Sequence, residues 1–561
     1  MTAAATGARR PRHDRPDDPE RIADLAAAHA LFGCHLREVA VPAGDAELGD
    51  GEARIRLRHL GVVLRCAVGR VSPLHAHRYE GPVQRRGADR GAGPRPATPP
   101  RRPAPPAGAP DMTGGWEPIG ATDLAALLAA DLTARTGVGN DEFVGQVRQS
   151  RTTTAQLLAE RPHRDPAPTG DPVVDAYVDS EQSLLFGHPQ HPTPKWRTGA
   201  TGQWRRYAPE LRAAFRLHWL AVPAELTAGA GPFDELTAAL DPPPVPAGHR
   251  ALPVHPWQLE LVPPADRRLR DLGPAGVPVR PTASVRTCYA PDADLFCKTS
   301  LHVRITNCLR KNSRYELTGA VALSRLLAAV PLPAGVRLLA EPAYRTVDLP
   351  GADEAYGTIL RAGLRPHLRP GQTPVLAGAL AASPLPVPDP VAWWRAYVRL
   401  LVPAALRLWL AHGVVHEAHL QNVLVVLDAH RWPVGMLLRD LEGVKLDTSR
   451  WPEWPARLPR QVGYRSDDAR RRVVYCLFVN HLAAVCAALA DARPGVEPQL
   501  WRVVREVVAE VSDGLGNPPE LRALLAGAPL VAKANLLVRW HRAPDRDAAY
   551  VPVPNPFGGA A

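Results

Sequence analysis

Lysine is scarce in this 561-residue chain: five of its 67 basic residues are lysine, and arginine supplies the rest. The planar guanidinium of arginine does not reproduce the compact charge of an ammonium group. A lysine that remains in an arginine-biased sequence therefore indicates a site that needs a point charge, and chance retention is the alternative. The five are Lys195, Lys298, Lys311, Lys445 and Lys533, and four of them lie in or beside the motifs described below.

Signals for disulfides, membrane spans and secretion are also missing. The seven cysteines are odd in number and form no C-x-x-C pair, which argues against a disulfide framework and against a zinc ribbon. We expect no run that approaches the about 20 apolar residues of a membrane helix. The charged N-terminus lacks the apolar core of a signal peptide. These absences predict a cytoplasmic protein with no membrane partner.

The net charge of +11 does not predict a nucleic-acid partner. Residues 81–110 contain six arginines and one acidic residue, a contribution of six minus one, or +5. They lie in a tract rich in Pro, Gly and Ala, which has too few apolar residues to form a core. Much of the excess charge therefore belongs to a linker or an insertion and not to a folded basic surface.

Local patterns predict a chain of mixed helices and strands. Alternating apolar residues indicate strands, and polar caps before apolar runs indicate helix starts. We expect strands over 53–68, helices that begin at the caps Thr122 and Ser150, a helix over 204–222, a long helix that ends at Gly413, and a hairpin over 423–438.

The segment GHPQHPTPKWRTG, residues 187–199, is expected to form a loop, because proline disfavours helical geometry in the residue that precedes it. It carries His188, His191, Lys195 and Arg197. Two imidazoles and two cations within ten residues suit the wall of an anion-binding pocket. Zinc is a weaker interpretation because no third ligand lies nearby. A turn with solvated basic groups is the structural alternative.

The segment PTASVRTCYAPDADLFCKTSLHVRITNCLR, residues 281–310, interleaves hydroxyl and cationic side chains. Phosphate oxygens accept from such donors: guanidinium binds two oxygens, ammonium acts as a point charge, and hydroxyls fill the remaining lone pairs. A charged surface strand is the alternative. The candidate ligand-binding residues are Ser284, Arg286, Thr287, Lys298, Thr306 and Arg310.

A third polar group flanks the predicted hairpin. Asn and Asp on adjacent strands commonly hold Mg²⁺ against phosphates. Protein kinases use a comparable pattern, but the aspartate of their catalytic loop is absent here. A buried histidine with satisfied amide neighbours is the alternative. The candidate residues are Glu417, His419, Gln421 and Asn422 before the hairpin and Asp440 at its end.

Taken in order, these segments and HPWQ at 255–258 resemble the IucA/IucC family of NRPS-independent siderophore synthetases. The resemblance covers roughly residues 120–545. The segment AKANLLVR, residues 532–539, is similar to the family's helical region, which resembles ferric-reductase-like domains. The tract at 81–110 departs from the family pattern.

The resemblance implies an ATP-dependent, acyl-adenylate-forming ligase of siderophore biosynthesis. ATP and a carboxylate, of citrate or a citrate derivative, would give an acyl-adenylate and pyrophosphate, and an amine, hydroxylamine or alcohol would then displace AMP. ATP and Mg²⁺ are the implied cofactors, and a homodimer is the implied assembly. The particular carboxylate and nucleophile stay open. Two alternatives also stay open: a kinase-like phosphotransferase and a non-catalytic paralogue that binds ATP.

The resemblance also assigns roles by motif position. The residues implied for ATP are Ser284, Arg286, Thr287, Lys298, Gln421 and Asn422. Those implied for the carboxylate substrate are His188, Lys195, Arg197, Thr306, Arg310 and His419. The residues implied for Mg²⁺ are Asp440 and Asn422, and Glu417 is implied to support the site. Those implied for catalysis are Arg286, Lys298, Arg310 and His419.

The implied fold is α/β (α+β), with three lobes in a cupped-hand arrangement of thumb, fingers and palm, and a mainly helical C-terminal region. The expected organisation is a disordered tail over 1–19, part of an N-terminal lobe over 20–80, a Pro/Arg-rich linker or insertion over 81–115, an N-terminal or thumb lobe with the His-Pro loop over 116–250, ATP-binding fingers over 251–390, the palm and the C-terminal helical region over 391–545, and a tail over 546–561.

Overall fold

A computed structural model describes most of the chain, namely residues 18–87, 115–165, 168–198, 202–305, 308–456, 458–544 and 547–558. Residues 1–17 of the tail expected over 1–19, most of the expected linker and Thr306 lie outside the described residues. The chain forms two compact units. The first unit comprises Met1–Ala159, Phe186–Trp196 and Ala534–Val551, and the second comprises Glu160–Leu185, Arg197–Lys533 and Pro552–Ala561.

Helices and strands alternate along the chain, in agreement with the expected mixed fold class. The α-helices are α1 (Pro19–His35), α2 (Ala121–Thr136), α3 (Phe143–Glu160), α4 (Pro172–Gln182), α5 (Phe233–Thr237), α6 (Pro256–Leu261), α7 (Arg314–Leu327), α8 (Ala377–Ala381), α9 (Pro390–His412), α10 (Ser466–Val474), α11 (Ala483–Ala492), α12 (Glu497–Gly514), α13 (Pro519–Leu525) and α14 (Asn535–Trp540). Wider turns of π type extend α1 over Leu36–Ala40 and join α10 to α11 over Tyr475–Leu482.

The strands are mostly short. They are β1 (Ala46–Gly49), β2 (Glu52–Leu57), β3 (Val62–Arg70), β4 (Arg78–Gly87), β5 (Glu117–Ile119), β6 (His218–Pro223), β7 (Thr227–Ala230), β8 (His249–Val254), β9 (Arg270–Pro274), β10 (Arg280–Pro281), β11 (Thr287–Ala290), β12 (Leu295–Thr299), β13 (Leu301–Ile305), β14 (Cys308–Arg310), β15 (Val336–Leu338), β16 (Ala343–Val347), β17 (Thr358–Ala362), β18 (Thr373–Leu376), β19 (Val414–Val415), β20 (Val423–Leu427), β21 (Pro433–Leu438), β22 (Lys445–Asp447), β23 (Gly463–Tyr464), β24 (Leu530–Lys533) and β25 (Tyr550–Val553).

The first unit is built on a five-stranded sheet in the order β1-β2-β3-β4-β5, with antiparallel neighbours. Along β2, Ala53, Ile55 and Leu57 are buried and alternate with exposed arginines, as the sequence pattern predicts. Residues of α1, α2 and α3 join these strands in one apolar core. Strand β4 continues to Gly87, so the linker expected over 81–115 was placed too early. Residues 81–87 belong to the strand because β4 pairs with β3.

The second unit contains the two sheets that position the candidate site. A six-stranded sheet has the order β10-β11-β12-β17-β16-β7, and a four-stranded sheet has the order β15-β21-β20-β18. The predicted hairpin is confirmed as β20 and β21. Helix α9 packs on α12. It ends at Gly413, whose φ of 62° is the left-handed conformation that a helix stop favours.

Three helix expectations were wrong. Residues 204–222 form short 3₁₀ turns and strand β6. Because β6 pairs with β8 and β9 and is buried on both faces, its sequence lacks the alternation of apolar and polar residues that indicates a strand. Helix α2 begins at Ala121 after Gly120, and not after Thr122. Helix α3 begins at Phe143, so Ser150 is an interior residue and not a cap.

One helical segment corrects the expectation about membrane spans. Ser466–Ala492 is long and apolar enough to cross a membrane, and 78% of its most apolar 18-residue window is buried inside the protein. Residues 473–490 contain no Asp, Glu, Lys or Arg. Burial of this extent is typical of the core helix of a soluble protein, although the sequence alone satisfies the length criterion.

The histidines buried in the second unit predict a pH-dependent stability. Burial lowers the pKa of His255 and His481 to about 3 and that of His416 to about 4. Unfolding returns each imidazole to a pKa of about 6.5. Between about pH 4 and 6.5 the unfolded state binds more protons, so the free energy of unfolding should fall as the pH falls, by up to about 1.4 kcal/mol per histidine per pH unit.

Urea unfolding at several pH values tests this expectation, and His255→Asn is the matched variant. His255 caps α6 by accepting a hydrogen bond from the Trp257 amide (3.2 Å), and asparagine caps a helix equally well. The slope of the free energy of unfolding against pH reports how many more protons the unfolded state binds. In the variant this number should be smaller by up to about one proton. An unchanged slope in a folded His255→Asn protein would contradict the assignment.

Candidate functional site

A cavity in the second unit is lined mainly by cationic and hydroxyl side chains. Its lining residues are Thr282, Ala283, Ser284, Arg286, Thr287, Lys298, Ile305, Arg310, Arg361, Gln421, Asn422, Arg439 and Asp440. Five of them are cations and one is a carboxylate. The structure thus brings together eight of the residues that the sequence singled out, from two of the three segments described above, residues 281–310 and 417–440.

A tight loop positions two of the lining side chains. The Thr282 amide donates to the Thr287 carbonyl (2.9 Å), and the Val285 amide donates to the Thr282 carbonyl (2.8 Å). Val285 adopts a φ of 68°, a left-handed conformation that costs a β-branched residue about 1–2 kcal/mol. The surrounding hydrogen bonds impose this conformation, and both neighbours of Val285, Ser284 and Arg286, line the cavity.

The antiparallel pair β11 and β12 places Lys298 directly opposite Thr287. Asn312 is fully buried beside this hairpin and donates to the carbonyls of Lys298 (3.2 Å) and Gly357 (3.0 Å). The Arg286 guanidinium donates to the Asn312 side-chain oxygen. One buried amide therefore connects the strand of Lys298 to the side chain of Arg286.

Carboxylates within the protein pair with several of the cavity's cations. Lys298 contacts both Asp440 and Glu442, and Arg286 lies 3.0 Å from Glu442. Arg361 lies 3.1 Å from Asp440. Although burial raises the pKa of Asp440, the charges of Lys298 and Arg361 outweigh it and hold that pKa below its usual range. Both carboxyl groups of the pair stay ionised, since Lys298 and Arg286 likewise lower the pKa of Glu442 against the effect of burial.

The end of the β20–β21 hairpin is held by a buried ion pair. Arg439 lies 2.5 Å from Glu181 and donates two hydrogen bonds to the Gln421 carbonyl (3.0 and 2.8 Å). The second oxygen of Glu181 accepts from the Ala283 amide (3.0 Å). The pair therefore positions both the Thr282–Thr287 loop and the backbone that carries Asn422.

His419 lies on the loop before this hairpin. Its Nδ1 accepts a hydrogen bond from the Gln421 amide (3.2 Å), and its Nε2 lies 3.8 Å from Glu417. Burial lowers the pKa of His419 while Glu417 and Asp440 raise it, and the net shift is downward. The neutral ring therefore carries its proton on Nε2, which makes that nitrogen a hydrogen-bond donor. Neither His419 nor Glu417 belongs to the cavity lining described above.

The π turn Tyr475–Leu482 supports the same loop. The Asn480 side-chain oxygen accepts from the Leu420 amide (3.2 Å), and His481 Nδ1 lies 2.9 Å from the Ala418 carbonyl. Two consecutive residues of the π turn thus hold the backbone on both sides of His419.

The His-Pro segment forms a loop, as predicted, and most of it belongs to the first unit. His188 Nδ1 accepts from the Gln190 amide (3.0 Å), and the Lys195 amide donates to Ser150 Oγ (3.0 Å). Asn535 of α14 donates to the Gln190 carbonyl (2.8 Å). Arg197 belongs to the second unit and lies 2.7 Å from Glu210. The role of His188, Lys195 and Arg197 at the substrate stays a prediction.

The sequence reasoning missed several residues at this site. Glu442 lies two positions after Asp440, beside the polar residues that flank the predicted hairpin, so the sequence could have identified it as a site residue. Asn312 lies two positions after the segment 281–310 and contacts Arg286 and Lys298 within it. Arg361 and Glu181 carry no local signal, because their partners lie in distant parts of the sequence.

Two carboxylates of the site suit a magnesium ion. Asp440 and Glu442 share Lys298 as a partner, which places their oxygens close together. Mg²⁺ in phosphate-transfer sites is commonly held by one or two carboxylates together with phosphate oxygens. Among the residues that the structure describes, no group of three His, Cys, Asp or Glu side chains could hold a metal. The donor set therefore fits an ion that is completed by phosphate ligands.

Comparison with known proteins supports the assignment to a family. The sequence profile of the IucA / IucC family matches residues 176–382, and that of the ferric iron reductase FhuF-like transporter matches residues 391–548. The rhizobactin siderophore biosynthesis protein RhbC of Rhizobium meliloti is 30% identical over 491 residues, which cover 75% of this chain and 81% of that protein. The L-2,3-diaminopropanoate–citrate ligase of Staphylococcus aureus is 28% identical over 443 residues, covering 69% of this chain and 76% of the ligase.

Solved structures agree with the fold. The ATP-bound aerobactin synthetase IucA from a hypervirulent pathotype of Klebsiella pneumoniae superimposes with a TM-score of 0.76 at 23% identity, over 95% of this chain and 100% of that one. The petrobactin biosynthesis protein AsbB of Bacillus anthracis gives a TM-score of 0.74 at 18% identity, over 96% of each chain. With the sequence match to RhbC, these findings show that the chain belongs to the IucA/IucC family of siderophore synthetases.

Proposed function

We propose that this chain is an ATP-dependent ligase that activates a carboxylate of citrate, or of a citrate derivative, as an acyl-adenylate. An amine, hydroxylamine or alcohol then attacks the acyl carbon, and AMP leaves. Relatives named as citrate ligases and siderophore synthetases support citrate-based siderophore synthesis. The homodimer and the cytoplasmic location that the resemblance implies stay predictions.

The observation that carries this proposal is the cavity with five cationic side chains. Attack of a carboxylate on the α-phosphorus of ATP brings two anions together, so catalysis depends on charge neutralisation and alignment. Arg286, Lys298 and Arg310 line the cavity from the loop before β11, from β12 and from the end of β14. Such convergence gives fixed positive charge on several sides of one reacting phosphorus, which a surface strand could not provide.

The proposed division of labour keeps the roles that the family resemblance implies. Hydroxyl groups and cations at one side would bind the phosphates, and Arg310 with Thr306 would bind the substrate carboxylate. The Nε2–H of His419 is a hydrogen-bond donor, so His419 would contact the substrate carboxylate and the adenylate as the resemblance implies. The residues proposed for ATP are Ser284, Arg286, Thr287, Lys298, Gln421 and Asn422. His188, Lys195 and Arg197 stay proposed for the carboxylate substrate, and Glu417 would support His419.

Magnesium would be held by Asp440, with Asn422 as the second residue predicted from the sequence and Glu442 added by the structure. When bound, Mg²⁺ would neutralise phosphate charge. Asp440 and Glu442 remain ionised, as their lowered pKa values indicate, so both can serve as oxygen ligands at neutral pH.

A hydroxylamine-trapping screen of carboxylic acids tests the function. With ATP and citrate, the protein should form a hydroxamate and release pyrophosphate and AMP. Release of ADP without pyrophosphate would favour the kinase-like alternative. Binding of ATP with no product from any carboxylate tested would favour the non-catalytic paralogue.

Arg310→Gln should reduce hydroxamate formation about 100-fold, because a buried anion loses a charged donor whose removal typically costs that much. The matched control is Arg314→Gln, since Arg314 pairs with the exposed Asp348 and does not line the cavity. Pyrophosphate release at saturating ATP is the measurement. Equal activity of both variants would refute the role of Arg310.

His419→Ala should lower kcat about 100-fold and leave the KM for ATP within about threefold, because a donor to the reacting anion acts mainly in the transition state. The exposed His430, in the turn between β20 and β21, provides the control His430→Ala. A variant whose loss appears only in the KM of the nucleophile would show that His419 has a different role.

A further inference from the structure

Six charged side chains form one cluster beside the cavity, largely buried apart from Asp440, whose side chain is 30% exposed. Its members are the cations Arg286, Lys298 and Arg361 and the carboxylates Glu341, Asp440 and Glu442. Arg286 pairs with Glu442 (3.0 Å), and Arg361 bridges Glu341 (2.6 Å) and Asp440 (3.1 Å). Three positive and three negative charges balance, so the cluster is neutral without any ligand.

Lys298 occupies the centre of this cluster. Its ammonium contacts Asp440 and Glu442 together, and its side chain is only 4% exposed. Two carboxylates that face one point form the kind of position that a divalent cation takes. In the free protein that position is filled by a cation of the chain itself.

We propose that Lys298 is an internal cation that fills the divalent-metal position between Asp440 and Glu442, so that metal and nucleotide bind only together. The inference rests on the proposed use of ATP with Mg²⁺. A metal alone would add two charges to a neutral cluster while the ammonium still holds the carboxylates. A nucleotide alone would draw Lys298 to its phosphates and leave three carboxylates with two cations, Arg286 and Arg361, so that the largely buried cluster would carry an uncompensated negative charge.

When metal and nucleotide bind together, neither of these unfavourable states arises. The phosphates give Lys298 a new anionic partner, and the carboxylates that it leaves gain the metal. Because coupling between two ligands is reciprocal, the factor by which nucleotide raises metal affinity equals the factor by which metal raises nucleotide affinity. Lys298 is the residue that sets this factor.

Binding of Mn²⁺ in the absence of nucleotide tests the proposal without any turnover. Lys298→Met removes the ammonium and keeps a side chain of similar length. The variant should bind one Mn²⁺ per chain at least about tenfold more tightly than the wild type, because Asp440 and Glu442 lose the cation that they share and keep only Arg361 and Arg286. Electron paramagnetic resonance of free Mn²⁺ or calorimetry gives the affinity.

Two control variants define the site. Lys311 pairs with Glu354 outside the cluster, so Lys311→Met makes the same chemical change beside a single carboxylate and should gain no Mn²⁺ affinity. The double variant Lys298→Met with Asp440→Asn should lose the gain. A gain that persists in the double variant, or one equal in Lys311→Met, would overturn the proposal.

The nucleotide side is measured with an α,β-methylene analogue of ATP, which cannot release pyrophosphate. The analogue should raise the Mn²⁺ affinity of the wild type at least about tenfold, and this factor should shrink in Lys298→Met. If Lys298→Met does not fold, the wild type still decides: no coupling, or tight Mn²⁺ binding without the analogue, overturns the inference. A protein that shows the coupling but releases no pyrophosphate with any carboxylate would leave this inference standing and refute the proposed ligase.

Discussion

The contact of Lys298 with Asp440 and Glu442 is the interaction on which the candidate site depends. A cavity can collect cations for an anionic ligand only if those cations have counter-charges while the ligand is away, since an unpaired buried charge is very costly. This chain meets the requirement with carboxylates that belong to the site itself. Under the exchange proposed above, the positive charge of the cavity would become available when phosphates bind the cations and a metal binds the carboxylates.

Backbone hydrogen bonds made by buried side chains fix where the charged groups point. The Arg439–Glu181 pair holds the Ala283 amide and the Gln421 carbonyl, which lie on different loops. Asn480 and the neighbouring π-turn residue do the same for the loop of His419. Each of these groups satisfies a buried backbone donor or acceptor that would otherwise be costly. The positions of the cavity side chains are thus set largely by residues outside the lining, such as Glu181, Asn480 and His481, together with Arg439 of the lining itself.

Short motifs predicted much of the candidate site, because a motif places chemically related residues a few positions apart. Ser284, Arg286 and Thr287 share one turn, and the hairpin after Asn422 returns the chain to Asp440; the structure brings all of them to the same cavity. The role of the His-Pro loop was harder to read. Ser150, expected to cap a helix, instead accepts from the Lys195 amide, a contact between segments 45 residues apart.

What the sequence by itself determined is therefore local: the alternation of β2, the helix stop at Gly413 and the identity of the phosphate-type donors follow from periodicity, backbone conformation and side-chain chemistry. Tertiary structure alone decided that 218–223 is a strand, since pairing with β8 and β9 buries both of its faces and leaves no period to read. It alone also recruited Glu181 and Arg361 to the site. Ion pairs join side chains through space, and no spacing along the chain encodes which distant carboxylate will meet which cation.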